Sequence, residues 1–162
     1  MKIKDLHSLY LAELQEARSF EDQIASTLET LIGQTDDPDL RRTLEEDLPE
    51  ARRHALALGA MIEGHGAPVD EHSDQAMSAL LAESRKWVGE IDDPAVRDAA
   101  LIASAQRIQH YEIAVYGSLA AWAKQLGLDD RDQLQKILEE EKKTDAKLTA
   151  LAVRSVNSSA MA

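Results

Sequence analysis

Apolar residues recur along this chain every three to four positions, and no stretch alternates over six or more, so the pattern predicts helices and no strands. The first predicted helix runs from about Ile3 to Ile32, with a stripe of Leu6, Tyr10, Leu14, Ala17, Ile24, Leu28 and Leu31, and stops at Gly33. Asp37-Pro38 supplies a cap and a first helical residue for a second helix reaching about Glu63. Pro49 lies inside that helix and lacks an N–H, so a kink or local distortion is expected there.

Residues 64 to 72 read as a loop, followed by a shorter helix from about Asp74 to Gly89. Asp93-Pro94 repeats the start signal and opens a third long helix that ends near Leu126 before Gly127. A fourth runs from about Asp130 to Arg154, and Ser155 to Ala162 reads as a frayed tail. The domain division is a bundle over residues 1–156 and a flexible C-terminal tail over 157–162. Two helical hairpins joined by a long crossover with a short extra helix define an all-α, ferritin-like four-helix bundle. An up-down bundle is the structural alternative.

On each of the four long helices, acids disturb this apolar pattern. At about 100° per residue, Glu21 falls roughly 20° from the centre of the first helix's apolar arc. Glu112 falls equally close to the centre of the arc formed by Leu101, Ala105, Ile108, Val115 and Leu119. Glu141 sits near the middle of the arc of Leu134, Ile137, Leu138 and Leu148, and Asp145 lies one turn further on. Glu50 and His54 share a shoulder of the second helix beyond Pro49. A lone buried carboxylate costs several kcal/mol or takes up a proton. A shared metal pair between the helices is the cheapest common partner.

Sequence spacing sharpens that reading. The separations 50 − 21 and 141 − 112 are both 29 residues, and each second acid has a further ligand type at +4, His54 or Asp145. The candidate metal ligands are therefore Glu21, Glu50, His54, Glu112, Glu141 and Asp145. Runs such as Glu45-Glu46-Asp47 and Glu139-Glu140-Glu141 otherwise read mainly as solvated faces. Gln109, one turn before Glu112, is a candidate hydrogen-bond partner, and Tyr10 and Tyr116 read as core or as neighbours of the centre. His7, His65 and His72 read as solvated, and His110 as a surface or subunit-contact residue.

Composition narrows the function classes. Lys plus Arg number 18 against 30 Asp plus Glu, a net charge of −12, which disfavours nucleic acid and anionic membranes as partners. The absence of cysteine excludes disulfides, thiolate-bound metals and thiol nucleophiles. No apolar run approaches the roughly 20 residues of a membrane span, and Met1 to His7 has no secretory apolar region, so a cytoplasmic location is expected. No catalytic-triad pattern, phosphate loop or dinucleotide fingerprint is present.

The segments Asp93 to Ile102 and His110 to Gly117, with Phe20-Glu21-Asp22-Gln23 and Glu140 to Leu148, resemble the YciF/YciE-type bacterial stress proteins. The resemblance spans essentially the whole chain. It implies a ferritin-like core, a cytoplasmic homodimer, an association with stress and a two-metal site at Glu21, Glu50, Glu112 and Glu141. Two departures stand out. Ferritin-like di-iron sites usually pair Glu with His at i, i+3, whereas here the spacing is i, i+4 and one partner is Asp145. Family members commonly have Glu at the position of Gln109. Carboxylate-rich sites suit Fe or Mn, so oxidation of Fe(II) or consumption of peroxide is one expectation. A non-catalytic structural or stress dimer with an empty site is the other. A cage-type iron store is disfavoured, since no fifth C-terminal helix is expected after Arg154.

Overall fold

The computed structural model describes residues 2–162. Its main helices are α1 (Leu6–Gly33), α2 (Pro38–Gly64), α3 (Gln75–Glu90), α4 (Pro94–Leu126) and α5 (Arg131–Leu151). A π-helical turn (Ala152–Val156) and a short α6 (Asn157–Ser159) continue the chain. α1 packs along α2 and α4 along α5, while α1–α4 and α2–α5 contacts close the bundle. α3 occupies the crossover and packs on α1 and α4. This is the ferritin-like connectivity expected from the helix pattern.

The helix starts follow from caps. Asp5 and Ser8 form a reciprocal capping box, which moves the start of α1 from the expected Ile3 to Leu6. Asp37, Asp74 and Asp93 each accept a hydrogen bond from a first-turn N–H of α2, α3 and α4. Gly127 ends α4 with φ 69°, a left-handed conformation that favours glycine. α2 remains helical through Pro49.

Two regions differ from the sequence reading. Helical backbone persists beyond Arg154 to Ser159, because Val156 is buried against the core. Asp130 does not cap α5 with its side chain. Its carboxylate instead accepts from Tyr10 Oη at 2.7 Å and lies 2.6 Å from His65 Nε2. His65 is therefore half-buried and paired, not simply solvated.

The short α1–α2 connection is held by α4. Buried Asp98 accepts from the N–H groups of Asp36 and Asp37 at 3.1 and 2.6 Å, and Arg97 reaches the carbonyl of Gln34. The core runs the length of the bundle through Leu14, Phe20, Leu58, Ile62, Leu119 and Leu134. Phe20 meets Tyr116 edge-on, with centroids 5.7 Å apart. Burial of these large side chains fixes the rotation of each helix, and that rotation decides which acids point inward.

Candidate metal centre

Each long helix sends one polar side chain into the same interior region. Glu21 comes from α1, His54 from α2, Glu112 from α4 and Glu141 from α5, all at most 3% exposed. His54 Nδ1 lies 3.0 Å from Glu141 Oε1 and 3.3 Å from Glu21 Oε1. Neither approach has the alignment of a hydrogen bond, so Nδ1 has no hydrogen-bond partner, and neither has Glu21 Oε2. Buried polar atoms are normally satisfied, so two orphans facing one region need a physical reason.

Glu21, His54 and Glu141 bring one ligand atom each within 4.8 Å of one another. Glu112 completes the ring electrostatically, feeling the charges of Glu141 and Glu21. The other face of the imidazole has its own set. His54 Nε2 lies 2.9 Å from Glu140 Oε2, and Glu50, His54 and Glu140 form a second, half-buried group. Arg53 caps this rim, 2.9 Å from Glu140 and 3.6 Å from Glu50. A polar pocket of about 410 Å³, lined in part by Asp47, Glu50, Arg53, Glu140 and Lys143, opens over it.

Burial and mutual repulsion govern the protons. Burial pushes the carboxyl of Glu112 well above its ordinary range, with Glu141 and Glu21 adding repulsion. Burial likewise raises Glu21, against the opposing pull of His54, and raises Glu141 to about 7. Burial alone would lower the His54 imidazole, but Glu141 and Glu21 outweigh it and push it up to about 10. Without a metal, the centre is a protonated histidine among carboxyls that hold on to protons.

Neighbouring residues orient these groups. Tyr116 Oη donates to Glu21 Oε1, and burial raises its phenol far above the ordinary value. With its amide nitrogen towards Glu141, Gln109 donates to the Glu141 carbonyl at 3.1 Å and to Oε2 at 2.7 Å. Tyr10 belongs to the distant Asp130 pair instead.

The six residues singled out from the sequence therefore separate. Glu21, His54, Glu112 and Glu141 come together inside. Glu50 stands on the rim. Asp145 is not brought into either group: its Oδ1 accepts from Gln106 at 3.3 Å and faces exposed His110 Nε2 at 3.4 Å. Sequence reasoning missed Asp47 and Glu140, which it placed on solvated faces. Burial, with the charges of Glu141 and Glu50, raises Asp47 to about 7. A signal existed, since Asp47 precedes Glu50 by three and His54 by seven and so shares their face. Glu140 carried none, because only the approach of α5 to α2 brings it to His54.

A ferritin-like bundle with a carboxylate–histidine centre is the class that this geometry defines. The chain belongs to the family described as "Domain of unknown function (DUF892)", whose sequence profile matches residues 5–161. It is 35% identical to Protein YciF of Escherichia coli (strain K12) over 162 residues, covering 99% of this chain and 98% of that protein. The crystal structure of the E. coli stress protein YciF matches with a TM-score of 0.89 at 34% identity, over 96% of this chain and 99% of the other. YcfI of Rhodopseudomonas palustris, a protein suggested to be structural, matches with a TM-score of 0.87 at 36% identity, over 91% and 95%. Among the described residues no helix is long and apolar enough to cross a membrane.

Proposed function

We propose that this chain is a stress-associated protein that binds one or two transition-metal ions, iron or manganese, inside its bundle. The observation that carries this reading is the pair of buried, unpartnered atoms, Glu21 Oε2 and His54 Nδ1, among three buried carboxyls. A divalent cation would satisfy both atoms and offset the negative charge that otherwise forces protonation. Glu21, His54 and Glu141 would hold the ion, with Glu112 as the fourth carboxylate. Asp145 is left out because its carboxylate faces His110 and Gln106. A neutral imidazole ligates through one nitrogen, so a second ion would depend on carboxylates, with Glu50 and Glu140 at the rim. The oxygen-rich donor set favours Fe or Mn over softer metals.

Bound iron would supply redox chemistry towards dioxygen or peroxide, and bound manganese would suit peroxide consumption. Tyr116 fixes Glu21, Gln109 fixes Glu141, and Arg53 governs the charge at the polar mouth. The stress association rests on the description of E. coli YciF. A homodimeric, cytoplasmic protein belongs to the same proposal.

Anaerobic titration with Fe(II) or Mn(II) tests it. The expected result is about one equivalent or more bound with release of protons, and higher thermal stability. Glu112→Ala should abolish Fe(II) oxidation while the helical circular dichroism survives. Failure to bind either ion would leave the non-catalytic structural reading, in which a protonated His54 serves only as the counter-charge to Glu21 and Glu141.

A further inference from the structure

The half-buried group on the rim already holds a cation, and it is one of the chain's own. Arg53 Nη2 lies 2.9 Å from Glu140 Oε2, 3.6 Å from Glu50 Oε1 and 3.5 Å from His54 Nε2. These are the three residues whose donor atoms lie within 4.8 Å of one another. One guanidinium nitrogen thus stands where an ion shared by them would stand, and its charge offsets theirs.

The hold on that nitrogen is loose. The Arg53 side chain is 55% exposed, and those of Glu50 and Glu140 are 26% and 25% exposed. Ion pairs this open to water are weak, and a long side chain regains rotamer freedom on leaving them. The inner centre, by contrast, is closed to solvent. The polar mouth lined by Glu50, Arg53 and Glu140 opens on the face of the imidazole that Glu140 meets.

His54 joins the two groups. Its Nε2 faces Glu140 on the rim, and its Nδ1 faces Glu21 and Glu141 inside. A neutral imidazole has one free lone pair, so the ring serves one group at a time. The rim group therefore suits passage better than storage.

We infer that Glu50, Glu140 and His54 Nε2 form the entry site for a divalent cation bound for the buried centre, and that the Arg53 guanidinium is the displaceable plug of that site. The inference rests on the reading of the centre as a metal site. It adds to that reading a control on the rate of loading, set by a side chain that does not ligate the stored ion.

Mn(II) is the probe, because the electron paramagnetic resonance signal of the free ion collapses on binding. Freeze-quenched mixing gives the association rate, a chelator chase the dissociation rate, and titration the Kd. Arg53→Gln should associate at least about threefold faster than the native chain. Lys143→Gln removes an equal charge from the same mouth but leaves the plug in place, and should associate less than about twofold faster. Glu140→Gln should slow association and dissociation alike, each by at least about threefold, since both directions use the same passage. Equal rates in Arg53→Gln and Lys143→Gln would overturn the plug, leaving only a general field at the mouth. Unslowed association in Glu140→Gln would overturn the entry site, and faster dissociation there would make Glu140 a ligand of the stored ion instead. Should the native chain bind neither Mn(II) nor, anaerobically, Fe(II), the metal reading falls and the plug with it.

Discussion

Four residues after Glu50, α2 places His54 in the interior, whereas four residues after Glu141, α5 places Asp145 on the flank of the bundle. The two hairpins match in the spacing of their acids, yet their outcomes diverge. His54 is 1% exposed and faces carboxylates from two other helices. Asp145 has a fifth of its side chain exposed and pairs with an open histidine. Equal spacing thus guarantees only equal position along a helix. Whether that position faces inward depends on how each helix is rotated by its own large apolar residues. In α5 the neighbours Thr144 and Leu148 take the inner face and line a small cavity, leaving Asp145 beside Gln106 and Thr149.

This comparison can be broken by substitution. The largest effect should come from His54→Ala in the metal-free protein, which removes the cation that faces the buried carboxyls of Glu21 and Glu141. Breaking such a buried pair costs about 3–5 kcal/mol, and urea unfolding would measure it. Asp145→Ala should cost under about 1 kcal/mol, as an exposed pair does. It should also leave Fe(II) affinity intact, while His54→Ala should lose it. Similar losses in both variants would erase the distinction between the hairpins.

A smaller effect concerns pH. In the folded state Asp47 and Glu141 keep protons to about pH 7, from ordinary values of 3.8 and 4.5. The native state therefore binds more protons than the unfolded chain between those values, and stability falls as pH rises through that window. His54, raised from 6.5 to about 10, contributes stability that is full below 6.5 and is lost as pH climbs towards 10. Both effects have the same sign. The metal-free protein should melt several degrees higher at about pH 5 than at about pH 8, a difference on the order of 2 kcal/mol. Asp47→Asn should flatten the slope, and Asp145→Asn should not.

Next in size is Tyr116→Phe, which strips the hydroxyl donor from Glu21. Loss of a hydrogen bond to an acidic group costs about 1.5–3 kcal/mol, less if Glu21 is already protonated. Chemical denaturation of the metal-free protein would show it. Smallest is Lys147→Ala, which removes the exposed link to Glu46 between α2 and α5. Its cost should stay below about 0.5 kcal/mol in the same assay. A larger loss would mean that the outer charges, not the buried centre, hold the two hairpins together.

Much of the centre was legible because a carboxylate in an apolar stripe contradicts the pattern around it. Glu21, Glu112 and Glu141 stand out for that reason, and each is buried. His54 was legible through its spacing from Glu50. Asp47 and Glu140 were hidden in acidic runs whose other members, such as Glu45 and Glu139, do face solvent. Asp145, one turn beyond Glu141 on the same side of the helix, meets Gln106 and His110 instead of the buried carboxyls, and which neighbours it meets depends on the rotation of α5.

The sequence by itself determined the helices, their caps, the hairpin–crossover–hairpin order and the conflict between buried acids and apolar stripes. These are local quantities, set by periodicity and by the hydrogen-bonding needs of helix ends. Only the tertiary structure decided that Glu140 reaches His54, that Asp145 turns away and that a small cavity remains beside Gln109. Those outcomes depend on how side chains from four different helices fill one shared volume, and no single helix carries that information.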